Sequence, residues 1–366
     1  MARIGLSLSG GGAKGAFSAG VLYRLQIKGF FRKNPITVVS GTSTGSLIGT
    51  LIARRQFAEL KQIYAGGVKT GNILAPAAGE GALKLIFGAS SIFGKERPAD
   101  NEELLVNNLE MLGIAAVVDK RNSIYSIQPL KDLIRSFIGL QGLDEIINDD
   151  SVELIYNVVS MNSGDAKRFS SKDTGRTPTE MERALWASVS QPVFMPLVDI
   201  GQEWYADGGL AEVNPVQAVF ASSMPYDCIL AISCSPDPSK VGYSNELGGL
   251  EGILIRTIDV LLDDVTLNDL RVPYLTLALR SALDELKIAD AARYDRVIAG
   301  FNDQLRGDLA SINFDHLKSV PIVYVAPSVQ VLENGLAFDP AAMKGAFASG
   351  EKAGDDLLSK LIEAIA

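Results

Sequence analysis

"LSLSGGGAKGAFSAG", residues 6–20, sets an apolar alternating run against four glycines, Gly10, Gly11, Gly12 and Gly15, and follows them with small and apolar residues. A strand, a glycine turn and a helix in that order make the start of a βα unit. The pattern repeats outward: "PITVVSG" (35–41) reads as a second strand and "SLIGTLIARRQFAELKQIYAGG" (46–67) as one helix. A β-α-β-α opening predicts an α/β fold, a mostly parallel sheet with helices on both faces. Further strands are expected at "VELIYNVVSMN" (152–162), "YDCILAISCS" (226–235) and "PIVYVAPS" (321–328), with a helix at "TPTEMERALWASVSQ" (177–191). Because these strands reach residue 328, the chain 1–366 reads as one domain. Residues 66–135 mix Gly, Pro and short apolar patches and read as a cap-like insertion, whereas 249–311 read as helical and 320–366 as a closing strand and helix.

Composition narrows the classes. The 366 residues, 47% hydrophobic, can bury a sizeable core, and a net charge of -9 argues against a nucleic-acid partner. The charge is uneven. Residues 1–58 hold no Asp or Glu and eight bases (Arg3, Lys14, Arg24, Lys28, Arg32, Lys33, Arg54, Arg55), leaving 26 basic against 43 acidic residues in the remainder. Such a front end is either basic surface helix or a surface that attracts anionic substrates. Cys228 and Cys234 in one extended strand would lie about 20 Å apart, beyond disulfide reach, so a reducing, cytoplasmic compartment is expected. No signal peptide or apolar run long enough for a bilayer is visible in the sequence. In "LEGILIRTIDVLLDDV" (250–265) the broad apolar face suits core or dimer packing better than membrane contact.

Three uses compete for the glycine loop. Gly10, Gly12 and Gly15 spell the G-x-G-x-x-G of a dinucleotide site. That site needs an acid about 20 residues further on to hold the ribose, and no acid precedes Glu59. A P-loop fails because Lys14 precedes Gly15 and no G-K-[ST] ending follows. The second strand instead runs into "VVSGTSTGSLIG" (38–49), where Gly41, Ser43 and Gly45 form G-x-S-x-G. A serine on a sharp strand-to-helix turn exposes its Oγ, and the following helix points its amides at a developing anion. Adjacent parallel strands put both turns at one sheet edge, so the glycine loop faces Ser43, with the Gly11, Gly12 and Thr44 amides as donors to an oxyanion. The third use, a purely structural loop, makes this pairing a coincidence.

The serine needs a base. His316 in "NFDHLKS" (313–319) is the sole histidine, and chain order permits a Ser43, Asp207, His316 triad. The other candidate is Asp207 alone, in "EWYADGGLAEVNP" (203–215).

"SGGGAKGAFSAGVL" (9–22), "GTSTGSLIG" (41–49), "ALWASVSQPVFMP" (184–196) and "YADGGLAEVNP" (205–215), in this order and spacing, closely resemble the patatin-like phospholipase family. The resemblance covers 4–235, and "FDPAAMKGAFASGEKAG" (338–354) looks like the family's ending. It implies a three-layer α/β/α sandwich and lipid acyl hydrolysis by a Ser-Asp dyad without catalytic histidine, metal or cofactor. By motif, Ser43 is then the nucleophile, Asp207 the base, Gly208 and Gly209 the rest of the DGG motif, and the loop of Gly10, Gly11, Gly12, Ala13, Lys14 and Gly15, with Thr44, the oxyanion hole. The family often has Arg at the position of Lys14, which keeps the charge and loses the bidentate geometry. Phospholipids or lysophospholipids are the implied substrates, met in transient contact at a membrane surface, with a homodimer or an activating effector as protein partners. The cap stretch "LIFGASSIF" (85–93) is a candidate lipid contact. A carboxylate of ordinary pKa is a poor base for a serine, so Asp207 is expected to be desolvated and its pKa raised.

Overall fold

The computed structural model describes residues 1–88, 104–105, 108–236, 249–304, 320–330, 332 and 335–365. Its strands are β1 (Ile4–Leu8), β2 (Ile36–Thr42), β3 (Ala75–Pro76), β4 (Tyr125–Ser126), β5 (Glu153–Ser160), β6 (Ala166–Ser170), β7 (Val198–Ile200), β8 (Glu203–Asp207), β9 (Cys228–Ile232) and β10 (Ile322–Val325). β3 and β4 pair by themselves, and the rest form one sheet in the order β10-β9-β1-β2-β5-β8-β7, with β6 also against β5. β1, β2, β5, β9 and β10 run parallel, and β6, β7 and β8 are antiparallel additions. The mostly parallel sheet expected from the opening motif is therefore present.

Strand side chains alternate between faces, and both faces are buried. Ile4, Leu6, Leu8, Leu154, Tyr156 and Leu230 enter the larger core, with α1 (Ala16–Ile27) and the helices Pro178–Ser188 and Pro340–Ala364. Val38, Ile155, Ile229 and Ala231 enter a smaller core on the opposite face, under the helix Val216–Phe220 and Leu270 of the helix Gly249–Ala289. Three layers follow, helices over both faces of the sheet. In chain order α1 is followed by α2 (Phe30–Lys33), α3 (Thr44–Ala53) and α4 (Phe57–Tyr64).

Two expectations need adjustment. The helix foreseen over 46–67 is broken into α3 and α4, because Arg55 takes a left-handed φ of 60°. Its amide donates to the Ile52 carbonyl at 2.8 Å and the Gln56 amide to that of Leu51 at 2.8 Å, the bonding of a Schellman stop. The basic front end is largely paired with acids from later in the chain: Arg3 with Asp227, Arg24 and Lys28 with Asp355, Arg54 with Glu145 and Arg55 with Asp149. Lys14, Arg32 and Lys33 have no acidic partner among the described residues, so any attraction for anions falls to them. Cys228 and Cys234 are free and buried, as the strand spacing requires. His316 and most of "LIFGASSIF" lie outside the described residues.

Candidate active site

The register of the sheet brings Ser43 and Asp207 together. β2 pairs with β5 as far as Thr42 opposite Asn157, and Ser43 comes next. β8 pairs with β5 beginning at Asp207 opposite Val158, the adjacent residue. Val158 and Val159 also pair with β6, so β8 occupies the edge of β5 that β2 leaves. The two strands thus meet end to end, one delivering the serine and the other the carboxylate. The Ser43 hydroxyl stands close enough to the Asp207 carboxylate to favour its charged form.

Ser43 sits at φ 54° and ψ -124°, an unfavourable region for a residue with a side chain. The turn is tight enough that a Cβ on Gly45 would lie 2.2 Å from the Leu8 carbonyl oxygen. The Ser43 amide donates to Ser188 Oγ at 3.1 Å, and α3 begins at the next residue. The Thr44 amide, in the first turn of that helix, has no acceptor among the described residues, while its hydroxyl is bonded to the Tyr64 hydroxyl at 2.8 Å. Burial raises the Tyr64 pKa, so the phenol stays protonated and able to donate.

The amides of the glycine loop divide into two groups. Those of Gly10, Ala13 and Lys14 donate to Val213, Gly335 and Gly11 carbonyls at 3.0, 2.8 and 3.1 Å, so they hold the loop in place. Those of Gly11 and Gly12 have no acceptor among the described residues. Gly11 and Gly12 take φ of 151° and 58°, which glycine alone adopts without strain. Two anchors turn these amides. The Cys234 thiol donates to the Gly10 carbonyl at 2.7 Å, and in a planar trans peptide this sends the Gly11 N–H to the opposite side. The Lys14 bond to the Gly11 carbonyl does the same for Gly12. Burial raises the Cys234 pKa and keeps the thiol protonated.

Asp207 is 7% exposed. Desolvation pushes it up to about 6, while the hydrogen bond from the Gly209 amide and the nearby Ser43 hydroxyl pull the other way. The raised pKa matches the sequence expectation. Ser43, Asp207, Gly10, Gly11, Gly12, Lys14, Thr44 and Gly209 all line one cavity of about 190 Å³, whose remaining wall is mostly apolar. Leu47 and Leu51 come from α3, Val68, Ile73, Leu130 and Ile134 from residues 66–135, Ile258 and Leu262 from the helix Gly249–Ala289, and Phe338 and Met343 from residues 335–365. Gly41 and Gly208 stand behind this lining: a Cβ on Gly41 would strike the Gly45 backbone at 2.4 Å, and one on Gly208 the Asn157 carbonyl oxygen at 2.4 Å. Ser188, Ser190 and Cys234 lie inside motifs and strands visible in the sequence, but nothing local marks them as supports of the site. Their contacts are non-local, and only a polar side chain at a helix end or strand end hinted at them.

A family model for patatin-like phospholipases matches residues 6–220, and the chain belongs to that family. Its broad class is therefore lipid hydrolase. Among solved structures, VipD from Legionella pneumophila is similar over 98% of this chain and 67% of its own, with 14% identity and a TM-score of 0.47. A chain of the complex between full-length SpcU and full-length ExoU, from the type III secretion system of Pseudomonas aeruginosa, aligns over 84% of this chain and 61% of its own, with 16% identity and a TM-score of 0.26. The chain thus spans about two thirds or less of the length of these structures. No curated protein matches it. Among the described residues no helix is long and apolar enough to cross a membrane.

Proposed function

We propose that the chain is a serine lipid acyl hydrolase that cleaves carboxylic esters of phospholipids or lysophospholipids through Ser43 and Asp207. The observation that carries this reading is the mostly apolar cavity ending on Ser43, Asp207 and the unengaged Gly11, Gly12 and Thr44 amides. An acyl chain lies against the apolar wall and presents its ester carbonyl to the polar end. Ser43 Oγ attacks the carbonyl carbon as Asp207 accepts the hydroxyl proton, and the three amides donate to the oxygen as it becomes negative. The tetrahedral intermediate collapses, Asp207 returns the proton to the departing alkoxide, and an acyl-Ser43 ester remains. Water then attacks that ester with its proton passing to Asp207, and collapse releases the fatty acid and restores Ser43. Lys14, lining the same cavity without an acidic partner among the described residues, is suited to a lipid phosphate.

The test compares wild type with S43A, D207N and H316A on a short-chain ester, a lysophospholipid and a diacyl phospholipid. Loss of about 10³-fold or more in S43A and D207N, with H316A within about twofold of wild type, supports the dyad. An inactive H316A restores the triad, and three variants equal to wild type overturn the reading. Labelling of Ser43 by a fluorophosphonate only after an effector or partner is added identifies a latent enzyme.

A further inference from the structure

The turn after the helix Pro178–Ser188 holds the backbone of both candidate catalytic residues. Ser188 is fully buried, accepts from the Ser43 amide at 3.1 Å and donates to the Asn157 carbonyl at 2.7 Å. It also lies 2.8 Å from the Ser46 hydroxyl. Two residues on, the Ser190 carbonyl accepts from the Asp207 amide at 2.9 Å.

A serine hydroxyl has one proton to give and two lone pairs to receive. The Ser188 proton goes to the Asn157 carbonyl, and one lone pair takes the Ser43 amide. Ser46 Oγ has one proton and two oxygens at 2.8 Å, the Gly41 carbonyl and Ser188 Oγ, and the Gly41 carbonyl also accepts from Asn157 Nδ2 at 2.8 Å. Ser188 thus ties the elbow, through the Ser43 amide, to β5, through the Asn157 carbonyl. A backbone such as that of Ser43 costs on the order of 1–3 kcal/mol and persists only where surrounding bonds fix it.

We propose that Ser188 is a positioning residue for the acyl-transfer reaction: its hydroxyl locks the strained Ser43 peptide to β5, while the Ser190 carbonyl locks Asp207 to the same turn, setting the distance between nucleophile and base. The inference rests on the hydrolase reading proposed above. It makes Ser188 act through Ser43, with no contact to the acyl chain.

The experiment measures kcat and KM for a short-chain ester, the rate of Ser43 labelling by a fluorophosphonate, the pH profile and Tm for wild type, S188A, S188C and S188T. Ser171→Ala is the control: Ser171 Oγ also accepts a buried backbone amide, that of Leu154 at 3.0 Å, but near the start of β5. Expected for S188A are a 10- to 100-fold (about 10²-fold at most) fall in kcat and labelling rate, with KM changed less than about threefold, and partial rescue in S188T. The nearby Ser43 hydroxyl holds the Asp207 pKa down, so its displacement moves the acidic limb of the S188A profile to higher pH, which a merely structural role would not do. S188C keeps the volume and reports the same rate loss if S188A fails to fold. Ser43 labelling in wild type with S188A or S188C at the wild-type rate overturns this inference alone, as does a kcat loss in S171A equal to theirs. Absence of Ser43 labelling in wild type both without and with added cell extract overturns the hydrolase reading and this inference with it.

Discussion

Asp207 carries one charge whose position on the pH scale links activity to stability. Burial lifts it from the ordinary carboxylate range to about 6, and a base works only in its ionised form. Hydrolysis is therefore expected to rise with pH through an acidic limb near 6, read from kcat/KM between pH 4 and 9. The stability sign is opposite. Between about 4 and 6 the folded state binds more protons than the unfolded chain, so this group makes stability fall as pH rises across that window. D207N removes the ionisation and can keep the Gly209 bond to Oδ1. It is expected to be inactive yet more stable than wild type at pH 8, by about 3 kcal/mol at most, and no more stable at pH 4. Urea midpoints at the two pH values test this, and a D207N variant less stable than wild type at pH 8 contradicts the desolvated carboxylate.

At the scale of elements, the break between α3 and α4 shows what a sequence conceals. A helix stop is usually announced by glycine at the left-handed position, and here that position holds Arg55. The backbone bonds of Gln56 and Arg55 end the helix in spite of the side chain. Arg55 is expected to be strained, and R55G to exceed R55A in stability by about 1 kcal/mol, measured by urea denaturation. Both variants lose the exposed Arg55 contact with Asp149, at 3.9 Å, so it drops out of their difference. Local features were readable for the same reason that this one was not. The parallel strands appear as near-continuous apolar runs, and the G-x-S-x-G turn follows one of them. β6 was hidden because its "AKRFS" is exposed at three of five positions and lacks the apolar run. Asp207 could be singled out through motif resemblance, but its approach to Ser43 depends on β8 continuing the edge left by β2, a register that no local pattern encodes.

Across the whole molecule, the two ends of the chain complete each other. The last helix, Pro340–Ala364, packs on α1 so closely that a Cβ on Gly350 would lie 2.1 Å from the Phe17 carbonyl oxygen, and one on Gly20 would lie 2.1 Å from that of Phe347. The same closing segment supplies the Gly335 carbonyl that holds the Ala13 amide at 2.8 Å, and it lends Phe338 and Met343 to the cavity wall. The first motif is thus held in shape by residues more than 300 positions later, which explains why the loop's division into holding and unengaged amides is invisible in its own sequence. Long-range charge acts in the same direction, since Arg24 and Lys28 of the front end meet Asp355 of the last helix. These exposed pairs are worth little beside the glycine contact. A G350V substitution puts a branched side chain against the α1 backbone, where no rotamer avoids it, and the helices must separate. The expected cost is about 2–3 kcal/mol in urea denaturation, together with slower Ser43 labelling because Gly335 and Met343 move with the helix. Neutralising Asp355 with D355N is expected to cost less than about 1 kcal/mol and to leave labelling unchanged. A G350V protein with the stability and labelling rate of wild type would show that the closing helix is not seated on α1 as described.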